Sequence, residues 1–260
     1  MTTPKIEDVE KIVRQAAELM MAANFEITHK EGYANIVTST DVAVQDFLCK
    51  HLAELLPGSG FLCEEEDMND TSHEYTWIID PIDGTANFSR GIDQCAICIG
   101  LKAVEGIVMG LVYIPRSNEL FYAEKGKGAY LNGKRINVSN RPFANSILCT
   151  ALPVYHKEYA PLCSKIILEA FTQCNDIRRF GACAPELCYL AMGRCEMYFE
   201  YLLSPWDFAA ASLILTEAGG VISDLNGNAP TCLHPSGIVA ANNKENLDRM
   251  LGIVNSLKKE

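Results

Sequence analysis

The chain has 260 residues with 22 basic and 33 acidic side chains, so its formal charge is −11 at neutral pH. Hydrophobic residues make up 48% and charged residues 21%, a composition that excludes disorder and a fibrous fold. Proteins that grip nucleic-acid phosphates need clustered Lys and Arg, so the acidic balance argues against nucleic acid as a partner. If this protein handles phosphates, something other than basic side chains must supply the positive charge.

Targeting and cysteine patterns favour an intracellular chain. No stretch approaches the roughly 18 uninterrupted apolar residues of a membrane span, and the N-terminus lacks a basic region followed by an apolar one. The 11 cysteines are odd in number and scattered through apolar runs, which favours reduced thiols over a disulfide framework. Cys95 and Cys98 form a C-x-x-C inside an apolar strand, so they are predicted to be core thiols. We therefore expect a soluble, cytoplasmic protein with no membrane partner.

The first part of the chain combines helices with a strand-rich segment. Apolar residues recur at three- and four-residue intervals over residues 6–23, which predicts an amphipathic helix. A second helix is predicted at 41–56, stopped by Pro57 and Gly58, with a hairpin or loop at 31–40 before it. An antiparallel meander follows, with predicted strands at 75–79, 95–101, 107–114 and 119–123 and a turn at 131–134.

After about residue 145, strands and helices alternate. The predicted strands are 147–151, 176–180, 195–201, 220–224 and 237–241. The predicted helices are 157–173, 184–192, 207–218 and 244–257. An α+β part (1–144) with an antiparallel sheet and an α/β part (145–260) predict two layered subdomains of a single domain, 1–260, with a cleft between them.

The sharpest local feature is W-I-I-D-P-I-D-G-T at residues 77–85, a buried strand predicted to end in two carboxylates. Pro81 fixes φ and interrupts a ladder, while Gly84 permits a backbone conformation closed to other residues. The resulting turn presents four oxygen donors: the carboxylates of Asp80 and Asp83, the carbonyl of Ile82 and the hydroxyl of Thr85. Oxygen ligands without His or Cys select Mg²⁺ over zinc, although an isolated D-x-x-D-G also serves as a simple turn cap.

Two further acidic features extend this pattern. Residues 63–67 read C-E-E-E-D, and Asp207 lies in S-P-W-D at the start of a predicted helix. Taken alone, the first is a solvated loop and the second a routine helix N-cap. A metal cluster follows only if the fold brings the three acidic sites together.

The sequence is identified as a member of the inositol monophosphatases, within the lithium-sensitive, magnesium-dependent phosphomonoesterases. The resemblance rests on residues 77–85, on W-D-F-A-A-A-S-L-I-L-T-E-A-G-G at 206–220, and on Glu64 and Glu65, in the expected order and spacing. It implies a layered α/β/α/β/α sandwich, a homodimer, and hydrolysis of an inositol monophosphate such as myo-inositol 1-phosphate. It also implies two or three Mg²⁺ ions, which would take the place of Lys and Arg.

The resemblance implies a role for each site residue. The implied metal ligands are Glu64, Asp80, the Ile82 carbonyl, Asp83 and Asp207. A metal-activated water would be the in-line nucleophile, positioned by Glu64 and Thr85. Asp41 would orient Thr85 and accept its proton, whereas without the resemblance Asp41 reads as the cap of the second helix.

The resemblance also locates the substrate. The backbone N–H groups of Gly84 and Thr85 would grip phosphate oxygens. The carboxylate of Glu200 would accept from vicinal hydroxyls of a polyol, while an exposed charge ending a strand is the alternative reading. The full set of implied substrate contacts is Ile82, Asp83, Gly84, Thr85, Gly181, Ala182, Cys183, Glu200 and Asp207. Lys30, at the rim of the site, and Glu65 are further candidates.

The sequence departs from the family pattern at two positions. The usual Gly-Glu-Glu has Cys63 in place of its glycine, and Ala182 replaces a threonine near the substrate, which bears on substrate preference. Fructose-1,6-bisphosphatase, 3′(2′),5′-bisphosphate nucleotidase and histidinol phosphatase activities belong to the same superfamily. A second phosphate would need cations, for which Arg178, Arg179 and Lys157 are the candidates. A non-catalytic role is a further alternative, since bacterial relatives act as partners of the transcription machinery.

Overall fold

The computed structural model describes residues 3–22, 26–29, 36–65 and 69–258. The helices in this part of the chain are α1 (Ile6–Ala22), α2 (Ser39–Leu55), α3 (Thr85–Phe88), α4 (Ala160–Phe171), α5 (Cys183–Ala191), α6 (Pro205–Glu217) and α7 (Lys244–Leu257). The strands are β1 (Ile27–His29), β2 (Ile36–Thr38), β3 (Gly60–Cys63), β4 (Thr76–Asp83), β5 (Ala96–Ala103), β6 (Gly106–Ile114), β7 (Glu119–Glu124), β8 (Gly128–Leu131), β9 (Lys134–Ile136), β10 (Ile147–Thr150), β11 (Asp176–Arg178), β12 (Met197–Leu203), β13 (Val221–Asp224) and β14 (Ser236–Ala241).

The first large sheet has seven strands in the order β3-β4-β5-β6-β7-β8-β9. The strands from β4 to β9 pair antiparallel with their neighbours, as the meander predicts. Strand β3 was not predicted, and it pairs parallel with β4, with Phe61 opposite Trp77. A strand of four residues is too short for a hydropathy pattern to identify, so this parallel edge could not be predicted.

The second large sheet has five strands in the order β11-β10-β12-β14-β13. Strand β10 pairs parallel with β11 and with β12, whereas β14 pairs antiparallel with β12 and β13. A separate two-stranded sheet joins β1 and β2 antiparallel. These two strands flank residues 30–35, so most of the predicted hairpin or loop lies outside the described residues.

Three apolar clusters divide the molecule into five layers. Helices α1 and α2 bury their apolar faces on one side of the seven-stranded sheet. Helices α5 and α6 lie between the two large sheets and contribute most of the central core. Helices α4 and α7 cover the outer face of the five-stranded sheet. Each of the two large sheets thus has apolar side chains on both faces, and the predicted α/β/α/β/α sandwich is confirmed.

Helices α2 and α6 begin earlier than predicted, and both begin with a capping box. The N-cap of α2 is Thr38, whose N–H donates to Asp41 Oδ2 at 2.8 Å. The N-cap of α6 is Ser204, whose N–H donates to Asp207 Oδ2 at 2.7 Å. The readings of Asp41 and Asp207 as N-caps were therefore wrong, because each aspartate occupies the third helical position and caps backward.

The turn expected after Asp80 is also different in the structure. Strand β4 continues through Pro81 to Asp83, with a register irregularity between Asp80 and Asp83 where it pairs with β5. An irregularity of this kind accommodates the missing proline N–H, so the strand does not need to end. The two carboxylates project from the end of a strand that is buried along its whole length.

All 11 cysteines lie in the described part of the chain as free thiols, and ten of them are buried. Cys95 and Cys98 are 0% and 1% exposed, in agreement with their reading as core residues. Among the described residues, no helix combines the length and the apolar character that crossing a bilayer requires.

Candidate active site

A cavity of about 520 Å³ opens where the end of β4, the N-termini of α5 and α6, and the end of β12 meet. Several of the residues singled out from the sequence line this one cavity: Glu64, Asp80, Ile82, Asp83, Gly84, Thr85, Gly181, Ala182, Cys183, Glu200 and Asp207. The fold thus brings the three acidic sites of the sequence together, although they are distant along the chain.

Asp83 joins the first sheet to the N-terminus of α5. Its two carboxylate oxygens accept hydrogen bonds from the backbone N–H groups of Cys183, at 3.2 Å, and Ala184, at 2.6 Å. These N–H groups have no partner inside the helix, so the carboxylate caps α5 from another element. Burial raises the pKa of Asp83 to about 6, while the two N–H donors act in the opposite direction.

Gly84 adopts a backbone conformation that favours glycine, with φ of +88°. A Cβ on this residue would lie 3.0 Å from Ala182 Cβ and 3.0 Å from the carbonyl oxygen of Gln94. The position therefore needs glycine both for its backbone conformation and for the close approach of β4 to the segment before α5. This contact brings Ala182 to the cavity wall next to Thr85 at the start of α3.

Thr85 and Asp41 form a hydrogen-bonded pair. The Thr85 hydroxyl lies 3.0 Å from Asp41 Oδ1 and 3.1 Å from the Ile82 carbonyl oxygen, and it donates to these acceptors. Asp41 is 0% exposed, and its other carboxylate oxygen accepts from the N–H and the hydroxyl of Thr38. Burial raises the pKa of Asp41 above its ordinary value. Asp41 does not line the cavity itself and reaches it through the Thr85 hydroxyl.

The remaining carboxylates of the cavity repel one another. Burial, and then the charges of Glu64, Asp83 and Asp207, raise the pKa of Asp80 well above its ordinary value. Burial and the charges of Asp83 and Glu64 do the same to the pKa of Asp207, against the effect of the Ser204 N–H. Concentrated negative charge of this kind needs protons or a cation to balance it.

Glu200 lies on the cavity wall near the end of β12. Its Oε2 accepts a hydrogen bond from the Tyr198 hydroxyl at 2.6 Å. Burial raises the pKa of Glu200 to about 7, with Tyr198 and Arg179 acting against the shift. The alternative reading of Glu200 as an exposed charge at a strand end is wrong, because the side chain is partly buried and lines the cavity.

Glu65 and Lys30 are the two further candidate site residues from the sequence. Glu65 is 4% exposed and is not among the residues that line the cavity, and its backbone N–H donates to Gln45 Oε1 at 2.9 Å. Its backbone contacts with Gln45 tie the segment after β3 to α2. Lys30 lies outside the described residues.

Several lining residues were missed in the sequence. Glu186, Tyr155, His156 and Tyr198 all line the cavity. For Glu186 a signal existed, because a glutamate in the first turn of an otherwise apolar helix is unusual. Among the three cations considered for a second phosphate, only Arg179 lines the cavity within the described residues.

The donor set fits a hard cation chemically. Glu64, Asp80, Asp83 and Asp207 offer carboxylate oxygens only, which is the preference of Mg²⁺. Within the described residues, no three His, Cys, Asp or Glu side chains already stand as a group that could hold a metal ion. A cation bound among these carboxylates would offset their mutual repulsion.

Comparison with known proteins gives a consistent result. The model of the inositol monophosphatase family matches residues 5–259. The chain is 34% identical over 255 residues to the Nus factor SuhB of Escherichia coli (strain K12), covering 95% of this chain and 94% of that protein. Among solved structures, it is similar to an IMPase of Thermotoga maritima, with 28% identity, a TM-score of 0.85 and 96% of each chain covered.

A structure with a bound ligand is also similar. The inositol monophosphate-bound SaIMPase-II, from Staphylococcus aureus, has 26% identity and a TM-score of 0.81, with 97% of this chain and 93% of that chain covered. The similarity thus extends over nearly the whole of both chains.

Proposed function

Because the chain belongs to the inositol monophosphatase family, we propose that it is a Mg²⁺-dependent phosphomonoesterase acting on inositol monophosphate. The observation that carries this proposal is the cavity that Asp80, Asp83 and Asp207 line together with Thr85, whose hydroxyl bonds Asp41 behind the wall. Further support comes from the similar SaIMPase-II, whose structure holds inositol monophosphate. The reaction releases inositol and phosphate by in-line attack of water.

The residues that would hold two or three Mg²⁺ ions are Glu64, Asp80, the Ile82 carbonyl, Asp83 and Asp207. When bound, Mg²⁺ supplies the positive charge opposite the phosphate oxygens and lowers the pKa of water. Without such charge, the carboxylates would repel a phosphate ester, because Arg179 is the one Lys or Arg among the described residues that line the cavity.

Thr85 and Asp41 position the attacking water and take its proton. Because the Thr85 hydroxyl donates to Asp41 Oδ1, the lone pairs of Thr85 Oγ1 remain available to accept a hydrogen from water. The proton then moves from water to Thr85 Oγ1, while the Thr85 hydroxyl proton moves to Asp41. Burial raises the pKa of Asp41, which favours this acceptance.

The substrate contacts divide between phosphate and alcohol. The backbone of Gly84 and Thr85 at the start of α3 would hold the phosphate, next to Asp83. Glu200 and the 181–183 segment would contact the hydroxyls of the alcohol. Ala182 removes one side-chain hydroxyl from this wall, so selectivity among polyols depends more on Glu200 and its neighbours.

The test is phosphate release, with and without Mg²⁺, from inositol 1-phosphate, fructose 1,6-bisphosphate and adenosine 3′,5′-bisphosphate. Asp207→Asn serves as the inactive reference. We expect Mg²⁺-dependent turnover that is fastest with the inositol ester. Faster turnover of a bisphosphate would keep the chemistry and replace the substrate, and no turnover of any ester would contradict the proposal.

A second candidate function is partner binding, favoured by relatives at 34% identity that bear the name Nus factor SuhB. The two functions separate in Asp207→Asn, which removes hydrolysis while leaving the outer surface unchanged. Retained binding of transcription proteins by this variant would support the second function.

The family also leads us to propose a homodimer and inhibition by Li⁺. Light scattering would test the homodimer, and assays with Li⁺ in place of Na⁺ would test the inhibition.

A further inference from the structure

Glu186 is a buried residue of the cavity wall. One of its carboxyl oxygens is hydrogen-bonded, and the other has no partner among the described residues. The side chain is 1% exposed and lines the cavity from the first turn of α5. Its Oε1 accepts from the backbone N–H groups of Phe180, at 2.7 Å, and Gly181, at 3.0 Å. Its Oε2 is buried and has no hydrogen-bond partner among the described residues.

Another buried glutamate shows how a purely structural one is satisfied. Glu196 is also 1% exposed, but both of its oxygens have partners. Oε1 accepts from Ser139 and Arg141 at 2.9 and 2.7 Å, and Oε2 accepts from the Ile147 N–H at 2.8 Å. Buried polar atoms in proteins are normally paired in this way. Glu186 lines the cavity, so its unpaired Oε2 is available to a group that occupies the cavity.

The surroundings of Glu186 define the chemistry of that partner. Burial, with the charges of Glu200 and Asp83, raises the pKa of Glu186 to about 8, which favours the protonated carboxyl. Since Oε1 is occupied by two donors, the proton belongs on Oε2, which becomes a hydrogen-bond donor. The partner must therefore have a lone pair. An ammonium group has no lone pair that could accept this hydrogen bond. A second phosphate of the substrate would face the carboxyl groups of Glu200 and Asp83.

We infer that the Glu186 Oε2 hydroxyl donates a hydrogen bond to a hydroxyl oxygen of the substrate's alcohol portion and so selects polyol phosphates. The inference rests on the proposed phosphatase function and deepens it. Glu186 would act together with Glu200, which accepts where Glu186 donates. A pocket built to bond a hydroxyl discriminates strongly against an analogue that lacks it, because the buried polar atom is then left unpaired.

The experiment compares two substrates that share a six-membered ring. Myo-inositol 1-phosphate has hydroxyls, and cyclohexyl phosphate has none. The measured quantity is the ratio of their kcat/KM values with Mg²⁺. In Glu186→Met, which removes the carboxyl with little change of volume, we expect this ratio to fall about tenfold or more. In Glu186→Gln, whose carboxamide keeps the acceptor for Phe180 and Gly181 and presents N–H at the Oε2 position, we expect the ratio to stay within about threefold of wild type.

The matched control is Glu196→Gln, a buried glutamate outside the cavity wall, which should leave the ratio unchanged. If Glu186→Met does not fold, as judged by circular dichroism, Glu186→Asp withdraws the carboxyl by one methylene and serves the same comparison. If Glu186→Met leaves the ratio unchanged, whether kcat/KM falls equally for both substrates or for neither, the inference is overturned. Equal losses would mean that Glu186 acts only as an anchor for the backbone. Failure of the wild-type protein to hydrolyse either ester would instead overturn the proposed function, and this inference with it.

Discussion

The hydroxyl of Thr85 lies 3.0 Å from Asp41 Oδ1, which joins the start of α3 to the first turn of α2 across 44 residues. The same aspartate caps α2 through Thr38, so its orientation is fixed by the helix before any ligand arrives. A hydroxyl held in this way needs little reorganisation to receive a hydrogen from an attacking water.

The first prediction concerns this hydroxyl. Thr85→Val keeps the shape of the side chain but removes the proton path to Asp41, so kcat should fall by about 100-fold or more. Thr85→Ser keeps the hydroxyl and should retain most of the activity. Steady-state kinetics with Mg²⁺ measures both. Thr172→Val, on the exposed end of α4, is the control and should behave as wild type. Similar activities for Thr85→Val and Thr85→Ser would exclude a role for the hydroxyl.

The second prediction separates backbone strain from crowding at Gly84. Gly84→Ala should lower the free energy of unfolding by about 2 kcal/mol or more, because the new Cβ meets Ala182 and Gln94 at a positive φ. Gly91 also has a positive φ, of +71°, but a Cβ there has nothing within 4 Å. Gly91→Ala should therefore cost about 1 kcal/mol, from backbone strain alone. Urea unfolding measures both, and equal costs would show that the close approach at Gly84 is unimportant.

The third prediction is a pH dependence of stability in the metal-free protein. The folded-state pKa of Glu186 is raised from 4.5 to about 8, so the folded protein binds a proton that the unfolded chain releases. The stabilisation is fully present below about pH 4.5 and is lost as pH rises through about 8. In EDTA, the Tm of wild type should therefore fall as pH rises between these limits, and Glu186→Gln should fall less.

Thermal unfolding in EDTA at several pH values provides the measurement for Glu186→Gln. The exposed Glu169→Gln is a matched control that should follow the wild-type curve. Parallel curves for wild type and Glu186→Gln would mean that Glu186 is ionised in the folded protein, and the donor role of Oε2 would then be untenable.

The fourth prediction concerns charge balance at Asp207. Asp207→Asn removes one of the mutually repelling carboxyls, so in EDTA its Tm should equal or exceed that of wild type. Mg²⁺ should raise the Tm of wild type through binding to the folded state, and should raise that of Asp207→Asn much less. Calorimetry with and without Mg²⁺ measures both effects, and Asp248→Asn on the exposed face of α7 is the control. An equal Mg²⁺ response in both proteins would place the cation elsewhere.

The sequence alone determined the layers and the family. Hydropathy periods predicted the α1 and α7 helices and the strands of the meander closely, because burial of one helix face or of alternate strand positions is a local pattern. Motifs at 77–85 and 206–220 identified the family, and the family model confirms it over residues 5–259. The same patterns failed at β3, which is short, and at the starts of α2 and α6, where the aspartate is the third residue rather than the cap.

Only the tertiary structure decided how the cavity is built. Asp83 accepts from Ala184, 101 residues away, and no spacing rule links a strand end to a helix start across that distance. Burial, which sequence does not report residue by residue, raised the pKa of Glu186 and left its Oε2 without a partner. The tertiary structure also joins the Glu65 backbone to Gln45, 20 residues away. Local pattern fixes which elements form, whereas desolvation and long-range contacts fix what their side chains can do.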